Sequence, residues 1–233
     1  MSANERLGSW RAEEKYILPP GQQAVFLHRL KALMHPDAHA EHGTYTIHSL
    51  YFDNYDNSCY TQVLDGLNHR AKYRLRYYGQ DTTHIFLEKK EKQAGRVRKT
   101  SCALSYRQAL ALCMDMPPFF QPAAPALWNE MAQRRKEGFR PILCVDYVRC
   151  PLVYPAGHVR ITFDSNITAT TSVGQFFVPE HTGTPVQHDG RSLMEVKYTE
   201  FLPSFLRKSL QGGGTSYHRI FQVHTGPHGM WLS

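Results

Sequence analysis

No run of about 18 apolar residues interrupts this sequence, so no segment of it is expected to cross a membrane as a helix. The opening stretch "MSANERLGSWRAEEKY" has no apolar leader core. Five cysteines (Cys59, Cys102, Cys113, Cys144 and Cys150) form no C-x-x-C pair, and their odd number argues against a disulfide framework. A reducing, cytoplasmic setting is therefore expected. The glycine-rich "LQGGGTS" (210–216) lacks the G-K-[ST] ending of a phosphate-binding P-loop. No zinc-ligand spacing, nucleophilic triad, internal repeat or long linker is present. The histidines of "HPDAHAEH" (35–42) surround a proline and precede Gly43, which excludes a regular metal-binding helix and predicts a polar connection instead.

What is present is a surplus of positive charge. The 233 residues carry a net charge of +7 with a pI near 9.2, while 42% hydrophobic and 20% charged residues are ordinary for a folded protein. A polyanionic partner is favoured. One domain over residues 1–233 accounts for the length, with its core at about 10–220.

The charge is patterned with the period of two that places alternate strand residues on one face. In "RAKYRLRYYG" (70–79), Arg70, Lys72, Arg74 and Arg76 share a face, with Tyr73, Leu75 and Tyr77 opposite. Segment 11–15 adds Arg11, Glu13 and Lys15; "IFLEKKEK" (85–92) adds Glu88, Lys90 and Lys92; "VRKTS" (97–101) adds Lys99. Tyr147 and Arg149 of "VDYVRC" (145–150), Arg160, Thr162 and Asp164 of "VRITFD" (159–164), and Glu195 and Lys197 of "SLMEVKY" (192–198) complete the set. "TYTIHSLYFD" (44–53) is a further strand with less charge, its Tyr51-Phe52-Asp53 read as structural. Helical spacing, Ser105 as a cap and Gly138 as a stop predict helices over 21–34, 105–114, 122–138 and 203–210.

An ordinary wet sheet face also alternates. Four like charges on one strand face repel one another, however, and are tolerable where a polyanion neutralises them. The expected architecture is α+β: an antiparallel β-barrel, closed, with a charged lumen. Leu75, Leu87, Val148, Ile161, Phe163 and Val196 would face outward under helices. Guanidinium and ammonium groups in alternating rows suit a linear chain of phosphates. Carboxylates among them suit a hard divalent ion such as Mg²⁺ or Mn²⁺, though Glu13 and Glu88 are equally readable as partners of neighbouring cations. Asp164 reads as an orienting partner of an arginine. Glu13, Glu88 and Glu195 on the basic faces argue against a nucleic-acid surface, despite Tyr73, Tyr77 and Tyr78 beside arginines.

The ordered series "RAEEKY", "SLYFDN", "DGLNHRAKYRLRYYG", "FLEKKEKQAGRVRKT", "VDYVRC", "VRITFDSNI" and "LMEVKY" resembles the catalytic domain of the vacuolar transporter chaperone (VTC) family, a polyphosphate polymerase among the CYTH-like triphosphate tunnel metalloenzymes. The resemblance implies a metal-dependent transfer of the ATP γ-phosphate to inorganic polyphosphate, with ADP released and Mn²⁺ or Mg²⁺ as cofactor. It implies Arg11 and Lys15 as first-strand phosphate ligands and Arg74 and Arg76 on the nucleotide phosphates. Lys90, Lys92, Lys99, Tyr147, Arg149 and Lys197 would be further tunnel residues, with Glu195 as the metal ligand. The strand faces themselves add Arg160 as a phosphate-facing cation, Glu13 and Glu88 as further candidate metal ligands, and Arg70 and Lys72 as rim residues that steer or bind substrate. Arg74, Arg76, Lys90, Arg149 and Lys197 are the candidate catalytic residues. Two departures stand out. Arg11 occupies the first glutamate position of the wider Glu-x-Glu-x-Lys pattern, which favours the polymerase branch over a two-metal triphosphatase. "TSYHRI" (215–220) replaces the usual Ser-Lys-Phe ending, so Ser216, His218 and Arg219 are the candidates there. The family's sensor and membrane segments are not recognisable, so a standalone bacterial enzyme is expected, which releases its product in the cytosol or hands it to a separate membrane partner. A tunnel triphosphatase and a binding-only module remain the alternatives, and the sequence leaves the oligomeric state open.

Overall fold

The computed structural model describes residues 5–114, 116, 125–178, 183–186 and 190–211. In chain order the elements are β1 (Glu5–Leu7), β2 (Ala12–Leu18), α1 (Gln22–Lys31), β3 (His35–Pro36), β4 (Tyr45–Asp53), α2 (Ser58–Leu64), β5 (Arg70–Tyr78), β6 (Asp81–Gln93) and β7 (Arg96–Leu104). They continue with α3 (Tyr106–Cys113), α4 (Ala126–Lys136), β8 (Arg140–Tyr154), β9 (Val159–Thr170), β10 (Thr184–Pro185), β11 (Ser192–Tyr198) and α5 (Ser204–Gln211). The chain divides into two compact units, and the long strands β8 and β9 contribute residues to both.

The first unit is built on the antiparallel ladder β1-β7-β6-β5-β4. Ala94 and Gly95, both with positive φ, form the two-residue turn between β6 and β7. Such a turn matches the twist of the flanking strands and fixes their register. Leu75 and Leu87 are fully buried on one face, where α3 and α4 pack against β6 and β7 and α2 packs against β5. Ser105 caps α3 in a reciprocal capping box with Gln108, and Gly138, at φ +86, follows the end of α4. Helix α2 has no counterpart in the sequence expectations. It is held from outside its own span: Asp53 accepts from the backbone N–H groups of Asn54, Cys59 and Tyr60.

The second unit pairs β9, β11 and β2 antiparallel, with β3 on β8. Phe26 and Leu30 of α1 and Leu206 and Leu210 of α5 form one core with Ile161, Phe163, Met194 and Val196. The predicted outward-facing apolar residues are thus covered as expected, except Val148, which is only half-buried.

The predicted closure is not what the described strands show. β1, three residues long, pairs only with β7, and β2 pairs only with β11. The ladder is antiparallel but open at those ends. Among the described residues no helix is long and apolar enough to cross a membrane.

Candidate functional site

In the first unit the charged faces of β5, β6 and β7 carry Arg70, Lys72, Arg74, Arg76, Lys90, Lys92 and Lys99 against one carboxylate, Glu88. Register places Glu88 opposite Arg74, and the side chains meet. Glu88 Oε2 accepts from Arg74 Nε at 2.8 Å and Nη2 at 2.7 Å, and Oε1 accepts from Lys99 Nζ at 2.7 Å. Arg76 Nη1 stands 3.8 Å from the same Oε2. Burial favours the protonated form of Glu88, yet Arg74, Arg76 and Lys99 together outweigh it and hold the carboxyl well below its usual range. The carboxylate is a clamp on three cations.

Two neighbours on β4 complete this arrangement. Arg74 Nη1 donates to Tyr51 Oη at 3.1 Å, and Arg76 Nε donates to Ser49 Oγ at 3.4 Å. From the sequence Ser49 does not stand out, and Tyr51 reads as structural. The available signal was parity, since Ser49 and Tyr51 share one face of β4.

In the second unit acids and bases alternate instead. Glu195 Oε2 lies 2.6 Å from Lys197 Nζ and 3.8 Å from Arg149 Nη2, while Oε1 lies 3.4 Å from Lys15 Nζ. Glu13 reaches the same two lysines, at 3.8 Å (Lys15) and 3.7 Å (Lys197). Arg149 forms a bidentate pair with Asp164, both contacts at 2.7 Å, and its guanidinium lies 5.2 Å from the Tyr147 ring centre. Burial would lower the Arg149 pKa, but Asp164 chiefly reverses this and raises it well above the ordinary value. The Lys197 pKa is lowered: burial disfavours its charge by more than Glu195 and Glu13 recover, and Arg149 adds repulsion. Arg160 is drawn to Asp37 Oδ2 at 2.7 Å and Tyr45 Oη at 2.8 Å. The histidine-rich connection thus supplies an arginine partner. Thr162 stands opposite Glu195 in register, 1% exposed, its Oγ1 without a partner among the described residues.

The structure therefore brings Arg74, Arg76, Lys99 and Glu88 together on one unit, with Lys72, Lys90 and Lys92 on the same strand faces. On the other it brings together Lys15, Lys197, Arg149, Glu13 and Glu195, with Arg11 at the start of that face of β2. Ser216, His218 and Arg219 lie outside the described residues.

Among the described residues no group of three His, Cys, Asp or Glu is placed to hold a metal. Mg²⁺ and Mn²⁺ do not need one, because they take one or two carboxylates and complete their shells with water and phosphate oxygens. Glu13 and Glu195, converging on the same two lysines, fit that requirement. Glu88 differs in that both its oxygens are held at 2.7–2.8 Å by Arg74 and Lys99, whereas the contacts of Glu13 to its lysines are longer, at 3.7–3.8 Å.

An antiparallel sheet backed by helices, with charge concentrated on the strand faces opposite the apolar core, defines the class of this molecule. A crystal structure of a putative adenylate cyclase from Bacillus halodurans shares the fold: 12% identity, 89% of this chain and 88% of that chain covered, TM-score 0.51. A putative adenylyl cyclase from Hippeastrum, described as having a dominant triphosphatase activity, is 14% identical over 88% of this chain and 92% of its own, at TM-score 0.48. No curated protein matches the chain. The VTC domain family model matches residues 10–217, and the chain belongs to that family.

Proposed function

We propose that this chain is an ATP-dependent polyphosphate polymerase. The bond between the β- and γ-phosphates of ATP breaks, a terminal oxygen of a polyphosphate chain bonds to the transferred phosphorus, and ADP leaves. The observation that carries this reading is the cation excess on β5, β6 and β7 in a member of the VTC family. Phosphoryl transfer needs chiefly positioning and neutralisation of phosphate charge, and guanidinium groups supply both.

Arg74, Arg76 and Lys90 take the nucleotide phosphates, with Lys72, Lys92 and Lys99 on the chain. Glu88 acts by fixing Arg74, since its oxygens are held at 2.7–2.8 Å by Arg74 and Lys99. On the second unit Lys15, Arg149 and Lys197 are the phosphate-facing cations, with Arg11, Tyr147 and Arg160 supporting. Glu195 and Glu13 would hold Mn²⁺ or Mg²⁺, which when bound supplies further neutralisation of phosphate oxygens. A strand arrangement closed around the phosphate chain is part of the same proposal, as are action in the cytoplasm and transfer of product to a separate membrane partner.

Incubation with ATP and Mn²⁺, with and without a short polyphosphate primer, tests the reading by ³¹P NMR. Chain-interior phosphate signals should grow with ADP and vanish in Glu195→Ala. Orthophosphate without polymer would make the protein a triphosphatase. Binding of polyphosphate without turnover under any divalent ion would make it a binding module.

A further inference from the structure

The second unit carries a surface patch that the phosphate chemistry leaves unused. Helices α1 and α5 pack against each other, with Phe26, Leu30, Leu206 and Leu210 in their shared core. Facing away from that core are four exposed cations, Arg29 and Lys31 on α1 and Arg207 and Lys208 on α5. None of the four makes an ion pair with another described residue. Residues 22–33 and 200–211 contain a single acid, Glu200, and neither helix contains one.

Among the cations stand apolar side chains that the core does not take up. Val25 is 41% exposed and Leu33 37%, and the spacing of Val25, Arg29 and Leu33 puts them on one line down α1. Phe201, just before α5, is 52% exposed, and Phe205, in its first turn, is 39% exposed. The contacts of these residues gather them at one edge of the unit. The Phe205 ring meets Tyr154 edge-on, 5.4 Å between centres, at the end of β8. The preceding residue, Val153, pairs with His35, two residues beyond Leu33. Phe201 lies against the turn that joins β8 and β9, where a Cβ on Gly157 would come within 2.3 Å of the Phe201 carbonyl oxygen. That turn, Tyr154 to His158, adds no acid. Clustered exposed apolar residues mark an interaction surface, unlike single ones.

We propose that this patch seats the protein on an anionic lipid surface. Phe201, Phe205 and Leu33 enter the headgroup layer, and Arg29, Lys31, Arg207 and Lys208 meet the lipid phosphates. Exposed aromatic and leucine side chains beside lysine and arginine are the chemistry of helices that lie in a membrane interface. The charge balance selects lipid over protein. A protein partner calls for charges of both signs in fixed register and for few lysines, whereas an anionic leaflet is negative throughout and imposes no register. The inference holds whatever reaction the charged strand faces perform.

The test is co-sedimentation of the full chain with vesicles of phosphatidylcholine alone and of phosphatidylcholine mixed with phosphatidylglycerol. The wild type should pellet with the mixed vesicles only, and added salt should release it. Arg207→Gln/Lys208→Gln should weaken binding about thirtyfold, the scale of two basic residues at an anionic surface. Arg29→Gln/Lys31→Gln should lose as much, so the result does not hang on the folding of α5. Phe201→Ser should lose about tenfold with its melting temperature unchanged. Arg74→Ala, on the strand faces, should bind vesicles as the parent does. A wild type that ignores the mixed vesicles or binds both compositions alike would overturn the proposal, as would helix variants that bind like the parent. An equal loss in Arg74→Ala would also overturn it, by assigning the lipid contact to the strand-face cations. Capture of a polyglutamate peptide by a protein that leaves vesicles alone would make the patch a protein-docking face instead. Patch-dependent vesicle binding by a protein that makes no polymer would keep the inference and refute only the polymerase reading.

Discussion

The two charged clusters are made from the same residue types and reach opposite balances. Around Glu195, Lys15, Lys197 and Arg149 are interleaved with Glu13, Glu195 and Asp164, and the charges largely satisfy one another. Around Glu88, one buried carboxylate faces seven cations spread over β5, β6 and β7. A balanced cluster is stable alone and can yield a carboxylate to a divalent ion. A face with more cations than acids gains more from a bound anion, and the proposed function places the phosphate grip there for that reason.

Removing the single carboxylate from the overcharged side should have the largest effect. Glu88→Gln strips three cations of their common partner, and breaking a buried pair from one side costs about 3–5 kcal/mol. Thermal or urea unfolding would register it, and added tripolyphosphate should restore part of the loss. The same residue gives a pH signature. Its folded pKa is held well below 4.5, so its stabilisation is complete above that value and is lost as pH falls through the folded value. Melting curves from neutral into acid should show a limb that Glu88→Gln flattens.

Arg74→Ala should lower kcat/KM with ATP by about 10²–10³, the range for loss of one preorganised charge-stabilising donor. On the balanced side, Glu195→Gln should weaken Mn²⁺ affinity by at least about tenfold, the scale seen when even an outer partner of a metal ligand is removed. Its effect on metal-free tripolyphosphate binding should be small by comparison, a contrast that separates the two clusters. Tyr51→Phe should be mildest. It removes one 3.1 Å hydrogen bond to Arg74, worth about 1 kcal/mol, and should appear as a several-fold rise in KM for ATP.

Much of this was legible in the alternation of charge. Period-two spacing placed Arg74, Arg76, Glu88, Glu195 and Lys197 on strand faces, and the apolar residues between them are buried beneath helices as expected. Register was not legible, because nothing in "IFLEKKEK" says that Glu88 rather than Lys90 stands opposite Arg74. Helix α2 escaped because its capping acid, Asp53, lies at the end of the preceding strand, and Asn57 at φ +53 breaks the local pattern. Ser49 and Tyr51 were hidden for a chemical reason, since neutral hydroxyls on a charged face look like ordinary strand residues.

The most direct test of the contrast is calorimetric titration of tripolyphosphate into metal-free wild type, Arg74→Ala and Glu195→Gln. Saturable binding that Arg74→Ala abolishes and Glu195→Gln leaves nearly intact is the predicted result. Binding lost equally in both variants, or absent from the wild type, would contradict the assignment of the phosphate grip to the Glu88 face.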